Sequence, residues 1–232
     1  MTEKEIVQKI FGKISREIEV FNFKGYARNK CFIRGTSTAM FIYDLFIYTR
    51  TNIKTGAKGF QIEPYLWVNV KEIEKYYNEV TTNTELKKET DFKTLGNSIA
   101  NLLANPDGIN RERNQSLGLY IFEENHINLV ADELLKQFKS VAIPYFLINN
   151  TVSRVDELAN KHPKEYCVHL YNDLFRFIKG LIAAKLNKNQ KLEELLQIYE
   201  SLIIERDMPD YCREEMSRLK SVLPMIGTSI SI

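Results

Sequence analysis

Apolar residues recur at helical spacing from the start of the chain. Ile6, Ile10, Phe11, Ile14, Ile18 and Phe21, with Lys, Glu and Arg between them, predict an amphipathic first helix. Glu3 and Glu5 sit at its N-terminal end, where negative charge is favoured, and Gly25 marks its break. The period then falls to two. Three strands in an antiparallel meander are predicted near 26–34, 38–50 and 59–70, punctuated at Arg34 to Ser37 and at Asn52 to Gly59. In the middle strand Phe41, Tyr43, Leu45 and Ile47 form one face, and Met40, Ile42, Asp44, Phe46 and Tyr48 the other. A strand apolar on both faces expects cover on both. In the third strand Phe60, Ile62, Leu66, Val68 and Val70 read as a core face. The opposite side carries Gln61, Glu63, Tyr65, Trp67 and Asn69, among them the single tryptophan of the chain.

Lys71 to Val80 reads as a short helix and Thr81 to Asp91 as a loop. Phe92 to Leu103 fits a helix or a fourth strand, and Asn105 to Gly108 has turn chemistry. Leu117 to Phe122 is the last predicted strand. Beyond Asn125, a candidate cap, the period is helical throughout. Ile127 to Phe138, Pro144 to about Asn160, Tyr166 to Leu186, Leu192 to Ile203 and Tyr211 to Leu223 are the predicted helices. The hairpin at 166–204, with small Ala183 and Ala184, resembles one tetratricopeptide unit, whereas arrays need about three. The fold class is α+β: a mostly antiparallel meander sheet with packed helices over 1–140, then an all-helical part over 141–232. The segment Val141 to Ile148 is too apolar for a free linker, so the two parts are expected to dock as one body.

Composition adds limits. The 232 residues are 44% hydrophobic and 27% charged, a globular balance. Lys and Arg number 32 against 30 Asp and Glu, a formal charge of +2 that offers phosphate backbones no global attraction. Three widely spaced cysteines, Cys31, Cys167 and Cys212, read as reduced thiols rather than a disulfide framework. The first twenty residues carry charges throughout and do not read as a signal peptide. No apolar run approaches the roughly 20 residues that span a bilayer, so no membrane partner is expected and a cytoplasmic location is.

No motif commits the chain to chemistry. Neither glycine-rich phosphate loop, nor G-x-S-x-G, nor a His-x-x-x-His pair occurs, and no cofactor is implied. His162, Cys167 and His169 are zinc-ligand types without a zinc template, and Cys167 beside His169 is more simply a small apolar residue on a packed helix. Asp44 and Glu63 share the non-core face and would be the carboxylates of a metal-dependent hydrolase or nuclease, although Tyr65 stands where a lysine is wanted. Arg28, Lys30 and Arg34 form a basic strip beside Tyr65 and Trp67 that an RNA-binding module would use, with a second cluster at Arg111 and Arg113. Tyr48, Arg50, Tyr65 and Trp67, flanked by Glu63 and Asp44, are of the types that dominate protein–protein hot spots. They could instead face the chain's own C-terminal helices. The reading favours interaction over catalysis.

The order of features carries a resemblance. YARNKCFIR at Tyr26 to Arg34, TLGNSIANLL at Thr94 to Leu103, LYIFEENHI before a helix, IPYFLI at Ile143 to Ile148 and GLIAAKLNKN at Gly180 to Asn189 follow one another. In this the chain resembles a bacterial domain-of-unknown-function family of small cytoplasmic proteins, grouped with the immunity proteins of polymorphic toxin systems. The resemblance spans most of the chain and brings no catalytic residues. It implies a protein partner, a toxin domain that the chain binds and neutralises.

Overall fold

The computed structural model describes residues 1–85, 91–109, 115–170 and 172–227. Helix α1 (Glu3–Glu19) starts with a capping box: Thr2 Oγ1 accepts from the Glu5 amide while Glu5 returns a carboxylate to the Thr2 amide. Its apolar stripe is buried as the spacing requires. The first predicted strand is broken in two. β1 (Lys24–Tyr26) and β2 (Cys31–Gly35) are separated by a 3₁₀ turn over Ala27–Asn29, closed by Lys30 with φ of +57°. The turn folds β1 back antiparallel onto β2, with Tyr26 opposite Cys31.

β3 (Ala39–Thr51) and β4 (Lys58–Val70) pair along their whole length, Ala39 opposite Val70 and Thr51 opposite Lys58. The segment from Phe92 holds both of the structures that its sequence allows: strand β5 (Leu95–Ser98), then helix α3 (Ile99–Ala104). Ser98 makes the switch, its Oγ accepting from the Asn101 amide at 3.2 Å. β6 (Tyr120–Ile121) is shorter than predicted and pairs with the other end of β4. Among the described residues the sheet is six-stranded and antiparallel, ordered β1-β2-β3-β4-β5 with β6 beside β5 on the β4 edge. The fold is α+β.

One sheet face is closed by helices. Phe32 stacks on Phe11 of α1 at 4.5 Å, Phe41 on Phe146 at 5.3 Å, and the Tyr43 hydroxyl donates to the Leu134 carbonyl. Leu134 belongs to α4 (His126–Gln137) and Phe146 to α5 (Ile143–Ile148). Pro144 does not restart the chain after a break. α4 runs into α5 through a π turn, Phe138–Ala142, because Pro144 has no N–H to give the Ser140 carbonyl and the widened turn absorbs the loss. Asn125 makes no side-chain cap bond.

The remaining helices are α2 (Lys71–Val80), α6 (Val152–Asn160), α7 (Asp173–Leu186), α8 (Leu192–Glu205) and α9 (Asp210–Val222). The predicted helix from Tyr166 begins only at Asp173, where Asn172 caps it. α7 approaches α6 closely at Gly180, where an added Cβ would stand 2.7 Å from Asn160 Oδ1 and 3.1 Å from Ala159 Cβ of α6. The main core cluster runs from Ile6 to Ile226 and spans the expected boundary near 140, with a smaller one of Cys31, Met40, Ile42 and Trp67 on the second sheet face. No helix among the described residues is long and apolar enough to cross a membrane.

Candidate functional site

Strand parity and the β3–β4 register decide the second sheet face. Ile42 lies opposite Trp67, Asp44 opposite Tyr65, Phe46 opposite Glu63 and Tyr48 opposite Gln61. Two aromatic rings from each strand therefore run in one touching row, Trp67 and Tyr65 on β4 and then Phe46 and Tyr48 on β3. Trp67 stacks on Tyr65 with centroids 5.5 Å apart, Tyr65 meets Phe46 at 4.6 Å, and Phe46 meets Tyr48 at 6.4 Å. A cation closes each end: Lys93 Nζ lies 4.4 Å from the Trp67 ring, and the Arg50 guanidinium 5.4 Å from that of Tyr48. The ladder climbs from interior to solvent. Trp67 is 8% exposed and packs with Cys31, Met40 and Ile42, whereas Phe46 is 36% exposed. Trp67 is thus the buried root of the ladder, and the surface that a partner would meet is made by Phe46, Tyr48 and Arg50.

The root is electrostatically tense. Asp44 lies 4.0 Å from Lys93, a loose pair in a desolvated setting. Burial pushes the Asp44 carboxyl above its usual range against the pull of Lys93, and the same burial lowers Lys93 against the pull of Asp44. The Trp67 indole N–H lies near enough to Asp44 to favour its ionised form but outside hydrogen-bond geometry. Cys31, opposite Asp44 on β2, is pushed up to about 11 by burial and by that carboxylate, so its thiol is inert. Lys93 itself is positioned from below: buried Lys179 of α7 donates to the Lys93 carbonyl at 2.9 Å. Leu170, Asn172 and Phe175 also reach a cavity of about 230 Å³ beside Trp67, so the C-terminal part does approach this strand.

At the other end of the ladder a second cleft, of about 330 Å³, opens between Tyr48, Arg50, Glu63, Tyr65, Ser98, Asn101 and Ser116. A chain of hydrogen bonds lines it. Arg50 Nε donates to Gln61 Oε1 at 2.6 Å, and Gln61 Nε2 donates to Glu63 Oε1 at 3.0 Å and to Ser116 Oγ at 2.7 Å. Four of the six residues singled out in the sequence, Tyr48, Arg50, Glu63 and Tyr65, line this cleft. Asp44 and Trp67 belong to the Lys93 end instead.

Other readings fare differently. Asp44 and Glu63 do share a face, but Asp44 turns to Lys93 and Glu63 to Gln61. Among the described residues no group of three or more His, Cys, Asp and Glu could hold a metal ion. His162 and His169 line one cavity, but Cys167 Sγ donates to the Leu158 carbonyl and His169 Nδ1 meets the Tyr145 hydroxyl at 3.1 Å. The basic strip is not one, because Arg28 lies in the 3₁₀ turn and Lys30 breaks strand parity and pairs with Glu3. Arg111 and Arg113 lie outside the described residues.

Sequence reasoning passed over Phe46, which its parity already placed on this face, and Lys93, which lay in the segment of undecided structure. No family model, curated protein or solved structure matches the chain.

Proposed function

We propose that the chain is a non-enzymatic protein-binding module and that its partner is a toxin domain, which it neutralises by covering. The observation that carries the binding reading is the aromatic ladder, rooted on buried Trp67 and surfacing at Phe46, Tyr48 and Arg50. Tyrosine and arginine held rigidly at a surface lose little entropy on docking and are enriched where binding energy concentrates. The toxin follows from the resemblance at Tyr26 to Arg34, Thr94 to Leu103, Ile143 to Ile148 and Gly180 to Asn189. The hydrolase and RNA-binding alternatives have less behind them, since Asp44 and Glu63 turn to separate partners and the basic strip is broken.

The test is affinity capture from native lysate with tagged wild type and with Phe46→Asp in parallel. A stoichiometric protein carrying a toxin domain, lost by about tenfold or more with the variant, is the expected result. Capture of nothing, or of the same proteins by both forms, would sink the reading.

A further inference from the structure

Glu63 is a buried carboxylate with no cation of its own among the described residues. It is 6% exposed, and Gln61 Nε2 is its hydrogen-bond donor among the described residues. No described Lys, Arg or His lies within the 4.0 Å of an ion pair. Burial of a carboxylate on one neutral donor is costly, and a site that keeps one has a use for its charge. Arg50 does not supply the missing partner. Its Nε is spent on Gln61 and its guanidinium lies over Tyr48, at the mouth of the cleft.

A second acceptor belongs to a residue of the same lining. Asn101 donates through Nδ2 to Asn97 Oδ1 at 3.0 Å, while its own Oδ1 is buried without a donor. The cleft lining thus holds the Glu63 carboxylate and, on Asn101, a buried amide oxygen without a donor, between the rings of Tyr48 and Tyr65. A flat, delocalised cation with several donors satisfies all of these features together. A guanidinium can fork onto the carboxylate, give a further N–H to the amide oxygen and lie against the rings, whereas an ammonium is a compact, strongly hydrated point charge.

We propose that this cleft receives the side chain of an arginine from the partner protein, with Glu63 and Asn101 as acceptors and Tyr48 and Tyr65 as walls. The inference rests on the protein-binding reading above and names the chemistry that the partner must present. Arg50 makes no described hydrogen bond through its Nη atoms, so a carboxylate beside the incoming arginine would find a donor fork at the rim.

The experiment is an NMR titration of the full chain with N-acetylarginine amide, with N-acetylcitrulline amide as the uncharged isostere. Saturable shifts of the Gln61 and Asn101 side-chain amides are expected, with a dissociation constant of about 1–10 mM for one charge-assisted contact. Citrulline should bind at least about tenfold more weakly, and so should arginine to Glu63→Gln. Absence of saturation, or equal binding of the two probes, would overturn the proposal. If E63Q does not fold, the comparison of probes on the wild type still decides. Probe titration and lysate capture are each read on the wild-type chain. A chain that takes the probe but captures no partner therefore refutes the protein-binding reading and not the guanidinium site.

Discussion

Lys179 Nζ lies 2.9 Å from Glu74 Oε1, and both side chains are almost wholly buried. The pair joins α7 to α2, and its hydrogen bonds run on into the sheet. Thr94 Oγ1 donates to the same Glu74 oxygen at 2.6 Å, and Lys179 also holds the Lys93 carbonyl. Burial lowers the Lys179 pKa against the pull of Glu74. Lys179→Met should therefore cost about 3–5 kcal/mol, because it leaves a buried carboxylate unpaired. Glu74→Leu in the same chain should recover most of that loss. Urea unfolding of the single and double variants measures both. A single variant as stable as the wild type would show that the pair contributes nothing.

Trp67 is packed on Cys31, Met40 and Ile42 and stacked on Tyr65, so its truncation opens a cavity rather than a binding surface. Trp67→Ala is expected to cost about 3–5 kcal/mol of stability. Phe46→Ala, at the exposed end of the same ladder, should cost no more than about 1 kcal/mol. Chemical unfolding of the two variants separates root from tip. Equal costs would mean that the ladder is stabilised as a unit.

The meander was legible because its alternation is strict. Phe41, Tyr43 and Leu45 had to face one way, and the pairing of Ala39 with Val70 follows from two long strands joined by a short, mostly small and polar loop. The split at Ala27–Asn29 was not legible. Its signal is a left-handed Lys30, a conformation that no local residue type demanded. The late start of α7 at Asp173 has a local cause, the Asn172 cap, masked by apolar residues between Tyr166 and Leu170 that fit a helical period by coincidence. For the site, parity put Asp44, Tyr48, Glu63, Tyr65 and Trp67 on one face, but depth along a strand is not written in parity. Lys93, whose carbonyl is held by Lys179, covers the Trp67 end through contacts far apart in sequence. That is why the tryptophan is core while Phe46, two places along β3 from Asp44, is surface.

Asp156 of α6 shows how the last quoted motif, GLIAAKLNKN, is used. Its buried carboxylate accepts from Asn160 at 2.7 Å, from Asn187 at 2.7 Å and from Asn189 at 3.0 Å. Two of these amides, those of Asn187 and Asn189, tie the α7–α8 turn to α6. Asp156→Asn keeps the shape but turns one acceptor into a donor facing donors. A loss of about 2–3 kcal/mol is expected, the desolvation cost of the unmatched amide groups. Thermal unfolding reads it, and a variant unchanged in stability would mean that the amides reorient freely.

His169 should make stability depend on pH. It stacks on Tyr145 and meets that hydroxyl through Nδ1, and burial, with Arg154 nearby, lowers its pKa to about 4. The unfolded chain has a histidine near its ordinary value of about 6.5 and takes up a proton first as pH falls. The contribution is thus fully present above about pH 6.5, declines through the acid side and is spent once pH passes the folded value. With one pKa unit worth about 1.4 kcal/mol, the loss from this group is on the order of 3 kcal/mol. His169→Gln keeps a polar side chain beside Tyr145 but cannot titrate. Urea midpoints of the two forms should converge between pH 7 and pH 4, the wild type falling and the variant holding more nearly level. Parallel midpoints across that window would show that His169 is protonated in the folded chain as readily as in the unfolded one.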